Sequence, residues 1–331
     1  MGGIETLALV LCREWLASGC EVTVSTDVAE AAREVSVVSC PVHRQPSRSK
    51  LWSLWRSHDV VVLMNVSLKA IWPMLLCRTP VVLTHHSPYW IDREGTRDWR
   101  ERLKVAIAKR AGWNICVSGF VRDAIGLPRA RTVPNCYDDT MFFRDETTAR
   151  DRDVIFVGRL VSDKGADLLL DAVAASPGGR NWSVTIVGGG PENEILKRKA
   201  VGLGLKNIRF TGSLSPELVA AELRRHRVIA VPSLVLEAFG IVTLEGMACG
   251  VVPVAADGGG LPEAVGDAGV TFRRGDAADL AEKLSGLLAD EVERNRLLSQ
   301  AKDHLRKHIA KTMADAYLGV VREAVSSRVL S

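Results

Sequence analysis

The feature that most limits what this chain can become is an alternation running through its whole length. Short, unbroken apolar runs are each followed by a stretch with helical spacing. The runs are Glu21–Thr26, Val37–Cys40, Asp59–Met64, Pro80–Thr84, Asn114–Val117 and Arg131–Pro134, then Asp153–Val157, Ser183–Val187, Ile208–Thr211, Val228–Val231, Val252–Ala255 and Val270–Phe272. Most do not alternate apolar with polar, which marks strands covered on both faces. Helical patterns include Thr6–Ser18, Ala166–Ala175, Pro191–Gly202, Pro216–His226, Phe239–Gly250 and Asp279–Leu288. Such an alternation predicts an α/β fold with parallel sheets. Over 331 residues, two doubly wound sheets fit better than one of twelve strands.

The stretch Asp138–Asp153 (DDTMFFRDETTARDRD) is charged, lacks apolar periodicity and predicts the linker. That gives an N-terminal domain over 1–140 and a second over 141–311. In the final segment, 312–331, Met313, Ala316, Tyr317, Val320, Val321 and Val325 fall at helical spacing. It reads as a helix packing back toward the N-terminal domain. The chain opens at Met1-Gly2-Gly3 and runs straight into a helical pattern, where a βαβ unit normally sets a strand before such a glycine turn. The expectation is an N-terminal sheet lacking its first strand, through a start placed too late or a tolerated gap.

A hydrophobic content of 47% with 25% charged residues excludes a disordered chain. The net charge of +4 is uneven: 18 Lys and Arg against 14 Asp and Glu up to Thr140, and 25 against 25 beyond it. That excess is too small for a nucleic-acid partner and suits an anionic acceptor or a membrane surface. His43–Arg56 (HRQPSRSKLWSLWR) is basic and carries Trp52 and Trp55. It reads either as an interfacial helix making weak contact with anionic lipid or, preferred two to one, as a core-facing helix whose charges reach past it to water. Asp92–Arg110 is also Arg-rich, and flanks an acceptor cleft or forms a solvated helix equally well. The seven cysteines, at 12, 20, 40, 77, 116, 136 and 249, are odd in number and have no CxxC spacing. They predict neither zinc nor disulfides but packed thiols in a reducing cytoplasm. With no signal peptide and no run of 18 apolar residues, the expected location is cytoplasmic, at most touching the inner face of the membrane.

Chemistry concentrates in the second half. Glu237 and Glu245 stand eight apart in SLVLEAFGIVTLEGMACG, with Phe239-Gly240 marking a helix entrance between them. The backbone N–H groups of Gly240, Ile241 and Val242 would then be unpaired and would face an anion such as a phosphate. A carboxylate on either side would bind ribose and hexose hydroxyls. Taken alone, two solvated glutamates are the plainer reading. In VIFVGRLVSDKG a buried strand ends at Gly158, and Arg159 and Lys164 follow in the loop, where ligands of parallel sheets bind and where two cations would neutralise a leaving diphosphate. Gly188-Gly189-Gly190 and Gly258-Gly259-Gly260 permit tight strand-to-helix turns and lack the dinucleotide pattern. His85-His86 ends a strand, and alternation lets at most one of the pair meet a ligand. There is no GxSxG elbow and no DxD tripeptide, so neither a serine nucleophile nor a required metal is expected, and no cofactor.

Together these motifs resemble the retaining glycosyltransferases of family 4, the group 1 glycosyltransferases. The resemblance rests on GGIE at 2–5, THHS at 84–87, VSGFVRD at 117–123, VPNCYDDTMF at 133–142, FVGRLVSDKG at 156–165, IVGGGPE at 186–192, FTGSLS at 210–215, the Glu237–Glu245 pair and ADGGGLPEAV at 256–265. It implies the GT-B fold: two Rossmann-like domains facing each other across a cleft. It also implies that Arg159 and Lys164 hold the donor diphosphate beside Gly158 and the Gly240–Val242 backbone. Glu245 would bind the nucleotide ribose, Glu237 the sugar hydroxyls, and Ser213 and Leu214 would lie beside the base. Gly3 would meet the diphosphate from the other domain, and His86 the donor sugar. The implied reaction moves a hexose from a UDP- or GDP-sugar to a glycan or lipid-linked acceptor in surface polysaccharide or glycolipid synthesis. The chain departs from the pattern at the absent first strand and at Asn135-Cys136-Tyr137, where Asn-Gly-Val or Asn-Gly-Ile is commoner. A sugar-nucleotide epimerase on the same fold, or a non-catalytic nucleotide-binding protein, are the alternatives.

Overall fold

A computed structural model describes residues 3–28, 39–88, 98–127 and 129–329, with side chains described from Thr6 to Ser327 inside those limits. The chain forms two compact units, Met1–Asn135 with Ala310–Ser331, and Cys136–Ile309.

Unit 1 begins with α1 (Gly3–Ala17), β1 (Val24–Thr26), β2 (Val42–Arg44), α2 (Arg48–Ser57) and β3 (Val61–Met64). It continues with β4 (Val81–His85), α3 (Trp99–Arg110), β5 (Trp113–Cys116), α4 (Gly119–Ile125) and β6 (Arg131–Thr132). Local chemistry sets the ends of these helices. The Ser47 side chain accepts the Lys50 amide at the start of α2, Ser118 does the same for Val121 in α4, and α4 stops at left-handed Gly126. All strand pairs are parallel, but the sheet is in two pieces, β1-β2 and β3-β4-β5-β6. β4 is buried at every residue, whereas β1 and β3 are at most half-buried, against the expectation of strands covered on both faces. The reason is a cavity of about 1940 Å³ that both strands line. Val37 and Val38 of the expected second strand lie outside the described residues, and the strand beside β1 is Val42–Arg44. The two tryptophans do not form an interfacial face. Trp55 is only 2% exposed and Trp52 stacks on Trp72 at 5.8 Å, so the core-facing reading of α2 holds.

Unit 2 holds β7 (Arg152–Val157), α5 (Ala166–Ala175), β8 (Val184–Val187), α6 (Asn193–Gly202), β9 (Ile208–Gly212), α7 (Pro216–Arg225) and β10 (His226–Val231). There follow α8 (Ile241–Ala248), β11 (Val252–Asp257), α9 (Leu261–Val265), β12 (Val270–Arg273), α10 (Ala277–Ala289) and α11 (Glu291–Arg306). The strands form one parallel sheet in the order β12-β11-β10-β7-β8-β9. Val154, Ile155, Ile186, Val228, Ile229 and Val254 have no more than trace exposure, as apolar runs under helices on both faces require. The stretch read as a linker is instead bound to unit 2. Phe142 is buried, Arg224 donates to the Met141 and Phe143 carbonyls, and Arg150 donates to those of His226 and Cys249. Within the stretch Arg150 thus satisfies backbone carbonyls rather than water, whereas Arg144 stays exposed and pairs with Glu146.

The chain then returns to unit 1 through α12 (Ala310–Val329), which packs along α1 and reaches β4 and β5. Tyr317 and Ala324 are fully buried there, and the Trp15 indole N–H donates to the Ala314 carbonyl at 3.2 Å. All seven cysteines are free thiols. Among the described residues no helix is long and apolar enough to cross a membrane, and no group of His, Cys, Asp or Glu could hold a metal ion.

Candidate functional site

In unit 2 the first strand, β7, lies between β8 and β10, so the chain winds one way from β7 and then the other. Open parallel sheets bind ligands outside the carboxyl ends of the strands at such a reversal. The loops after β7 and β10 border that reversal and carry Gly158, Arg159, Lys164 and Glu237.

Hydrogen bonds bring the first three loops together. The Gly158 amide donates to Val187, Gly188 to Gly212, and Leu160 to Gly189. Glycine is required for this approach. A Cβ on Gly188 would lie 1.8 Å from the Gly158 carbonyl oxygen, and one on Gly190 2.2 Å from that of Leu160. Gly189 abuts the Ser213 hydroxyl, so Ser213 and the following Leu214 stand beside the Arg159 loop. Arg159 is exposed and makes no ion pair among the described residues.

The β10 loop comes in from the other side. A Lys164 Nζ hydrogen donates to Glu237 Oε1 at 2.6 Å, and the Ser233 hydroxyl donates to the same oxygen at 2.5 Å. Leu234 donates its amide to the Asp163 carbonyl, and Gly165, at φ +70, leaves room for the Pro232 carbonyl. The second glycine triplet has more than a turning role. Gly259 and Gly260 lie directly against the backbone of Glu237 and Ala238, and the Gly260 amide donates to the Glu237 carbonyl at 2.7 Å. The loop holding the carboxylate is thus clamped on two sides.

The helix expected over Phe239–Gly250 is shorter, Ile241–Ala248, because Gly240 has φ +102 and cannot be helical. Glu237 accordingly sits in the loop and Glu245 inside α8. The N–H groups of Gly240, Ile241 and Val242 have no hydrogen-bond acceptor among the described residues, and no side chain caps the helix. Burial first, and then the Asp138 charge, push the Glu245 carboxyl up to about 7.

Two expected residues belong to unit 1. His85 is fully buried and bonds Asn114 through Nε2, so His86 is the member of the pair that reaches the surface, as alternation requires. Thr84 Oγ1 donates to the Leu63 carbonyl and meets His86 Nε2 at 2.9 Å, which puts the ring proton on Nε2 and leaves Nδ1 as acceptor. Burial, then His85, pushes His86 down to about 4 and keeps it neutral. Gly3 is the first residue of α1, and its surroundings lie outside the described residues. Sequence reasoning missed Ser233 and Asn65. Ser233 stands four residues before Glu237 at the end of an apolar run, which is the one signal it gave. Asn65 has φ +61 and accepts the His86 amide through Oδ1 at 2.8 Å, a role that no linear pattern announces.

Two parallel α/β units in one chain, the second reversing its winding at its first strand, match the GT-B class. Solved structures agree on the fold. Anabaena HepE, in complex with UDP and glucose, superposes with a TM-score of 0.81 at 20% identity over 97% of this chain and 96% of its own. The profile described as Glycosyl transferases group 1 matches residues 138–304, and that of Glycosyltransferase Family 4 matches residues 1–140. The chain belongs to the group 1 glycosyl transferases. A D-inositol 3-phosphate glycosyltransferase of Corynebacterium efficiens is 39% identical over 53% of this chain and 43% of its own length. A phosphatidyl-myo-inositol mannosyltransferase of Mycobacterium leprae is 28% identical over 85% of this chain and 78% of its own. The chain thus spans less than half the length of the first curated relatives it matches.

Proposed function

We propose that this chain moves a hexose from a UDP- or GDP-sugar to a glycan or lipid-linked acceptor, with retention at the anomeric carbon, in surface polysaccharide or glycolipid synthesis. The observation that carries the reading is the Glu237 carboxylate, fixed by Lys164 and Ser233 at the switch point beside three unpaired amides. In this reading Arg159, Lys164 and the amides of Gly240, Ile241 and Val242 stabilise the leaving diphosphate, and Gly158 lets it come close. Glu245 accepts from the ribose, Glu237 from the sugar hydroxyls, and Ser213 and Leu214 flank the base. His86, neutral and with a free Nδ1, accepts from the donor sugar, and Gly3 backs the diphosphate. The bond from the anomeric carbon to the diphosphate breaks, the acceptor oxygen bonds to the same face, and its proton leaves on the diphosphate. Protein cations supply the charge compensation, so no metal or cofactor is needed.

The acceptor is expected to be hydroxylated and anionic. The relatives' names, D-inositol 3-phosphate and phosphatidyl-myo-inositol, support that, as does the basic excess of unit 1. Weak contact with the inner face of a membrane fits a lipid-linked acceptor. Between residues 44 and 80 there are six Lys and Arg against the single Asp59, and Leu75 and Leu76 are 85% and 70% exposed.

The deciding experiment measures nucleotide release from a panel of UDP-, GDP- and ADP-sugars with lipid and glycan acceptors. Release from one donor, raised by an acceptor and untouched by EDTA, is expected. Lys164→Ala and Glu237→Ala should each lower it by about 10²–10³-fold with far-ultraviolet dichroism unchanged. Turnover in which both variants match the parent chain would remove these residues from the site, and loss on adding EDTA would refute metal independence.

A further inference from the structure

The chain enters unit 2 between Asn135 and Cys136 and leaves it between Ile309 and Ala310. Within unit 2 these two crossing segments are tied to each other. The Tyr137 amide donates to the His308 carbonyl at 3.1 Å, and both residues are buried. The same segments reach the elements that carry the candidate site. The charge of Asp138 acts on Glu245 inside α8. The His308 ring packs on Phe239, with centroids 5.5 Å apart and planes tilted by 40°. Phe239 is buried and stands immediately before Gly240, the first of the three unpaired amides.

Phe239 has little freedom to move. Its backbone is hemmed in, since a Cβ on Gly260 would lie 2.9 Å from the Phe239 Cα and one on Gly240 2.4 Å from Leu261 Cδ2. Behind His308 stands His304, ring to ring at 4.7 Å. His304 Nε2 meets the Ala264 carbonyl at 2.9 Å, and because a carbonyl only accepts, the proton is on Nε2. A Cβ on Gly266 would come within 2.7 Å of the same ring. The last turn of α11 is thus fastened to α9, and three rings in file run from there to the loop before α8. Tilted rings at such separations attract one another, and close packing lets none shift alone.

We propose that His308 is a positioning residue for the anion cradle, resting on the reading that the amides of Gly240, Ile241 and Val242 bind the donor diphosphate. Its ring, through Phe239, fixes those amides, and its carbonyl ties them to the segment by which the chain enters unit 2. The helix entrance needs such a support, because no side chain caps it and Gly240 holds φ +102. Three successive amides without acceptors must then be aimed by packing. Donors aimed in advance stabilise a developing charge without rearranging when it forms. Coupling between two sites is reciprocal. If the crossing segments steady the amides, an anion held by the amides steadies the bond between Tyr137 and His308.

The test compares the parent chain with His308→Phe, His308→Ala, Phe239→Leu and the variant that joins Phe239→Leu to His308→Ala. Protection of the β7 and β8 amides reports that each is folded. Without ligand, hydrogen exchange at the Gly260 and Thr243 amides, which bond to the Glu237 and Gly240 carbonyls, reports the loop itself. His308→Ala should speed that exchange about tenfold, and His308→Phe, which keeps a ring, should stay within about threefold of the parent chain. UDP and GDP are then titrated by calorimetry, and exchange at the Tyr137 amide is followed with the tighter of the two. In the parent chain the nucleotide should slow Tyr137 at least about tenfold. His308→Ala should bind it about tenfold more weakly and, at saturation, leave Tyr137 unchanged while Gly260 still slows. On the Phe239→Leu background the same change should add less than about twofold. Should His308→Ala fail to fold, Phe239→Leu carries the same expectations. Loop exchange and affinity equal to those of the parent chain overturn the proposal. So does His308→Phe as weak as His308→Ala, or a Tyr137 amide indifferent to a bound nucleotide. A parent chain that binds neither nucleotide refutes the donor reading instead, and the exchange rates without ligand still decide whether His308 positions the loop.

Discussion

Glu245 lies one turn inside α8, and its neutral form is favoured because burial withholds water from the charge. Its carboxyl rises from 4.5 to about 7 on folding, so the stability it lends is full below pH 4.5 and is lost as pH rises through 7. Ribose recognition by a carboxylate has the opposite sign, because the binding form appears only as the proton leaves. Affinity for the nucleotide-sugar should therefore rise about tenfold between pH 6 and pH 8. Calorimetric titration across that range checks it, and Glu245→Gln should give a weaker, flat profile. A flat profile in the parent chain would place the ribose elsewhere. Both glutamates were legible in the sequence, because their spacing straddles a glycine that must break a helix. Ser233 and Asn65 were not, since each acts on a partner that only the fold brings near.

At the scale of elements, every buried strand of unit 2 was readable within two residues, because cover on both faces leaves a continuous apolar run. The helices α3, α4 and α11 were harder. α3 carries mixed charges along its length, α4 has seven residues, and α11 buries only Leu297 and Ala301. Glycines at the strand ends were legible as turns, but not their closeness to a neighbouring backbone. That closeness separates two otherwise similar substitutions. Gly188→Ala sets a Cβ 1.8 Å from the Gly158 carbonyl at φ +142, whereas Gly286→Ala, inside α10, meets nothing within 4 Å. Urea unfolding should show the first losing about 3 kcal/mol and the second unchanged or gaining up to about 1 kcal/mol. Equal stability of the two would mean that the β7 and β8 loops can part without cost.

For the whole molecule, the uneven charge and the core-facing set of α2 were visible in the sequence, but the exposed apolar pair of unit 1 was not. Trp52 and Trp55 are held by stacking and burial, and the exposed pair is Leu75 with Leu76. Co-sedimentation with phosphatidylglycerol vesicles at low salt should detect binding, which about 0.3 M salt reverses. Leu75→Ser with Leu76→Ser should weaken it at least about tenfold. Protein that stays in the supernatant at low salt would end the idea of membrane contact. The return of α12 to unit 1 has a further consequence, for the order of events on the ribosome. Unit 2 is continuous from 136 to 309 and can fold as it is made, but α1, built first, has its helical partner in α12, built after all of unit 2. Domains generally form as they emerge, yet here the first-synthesised half must wait for the last helix. During that interval the face of α1 that packs on α12 stands uncovered, and the Trp15 indole lacks its Ala314 acceptor, while the second half of the chain can already be native.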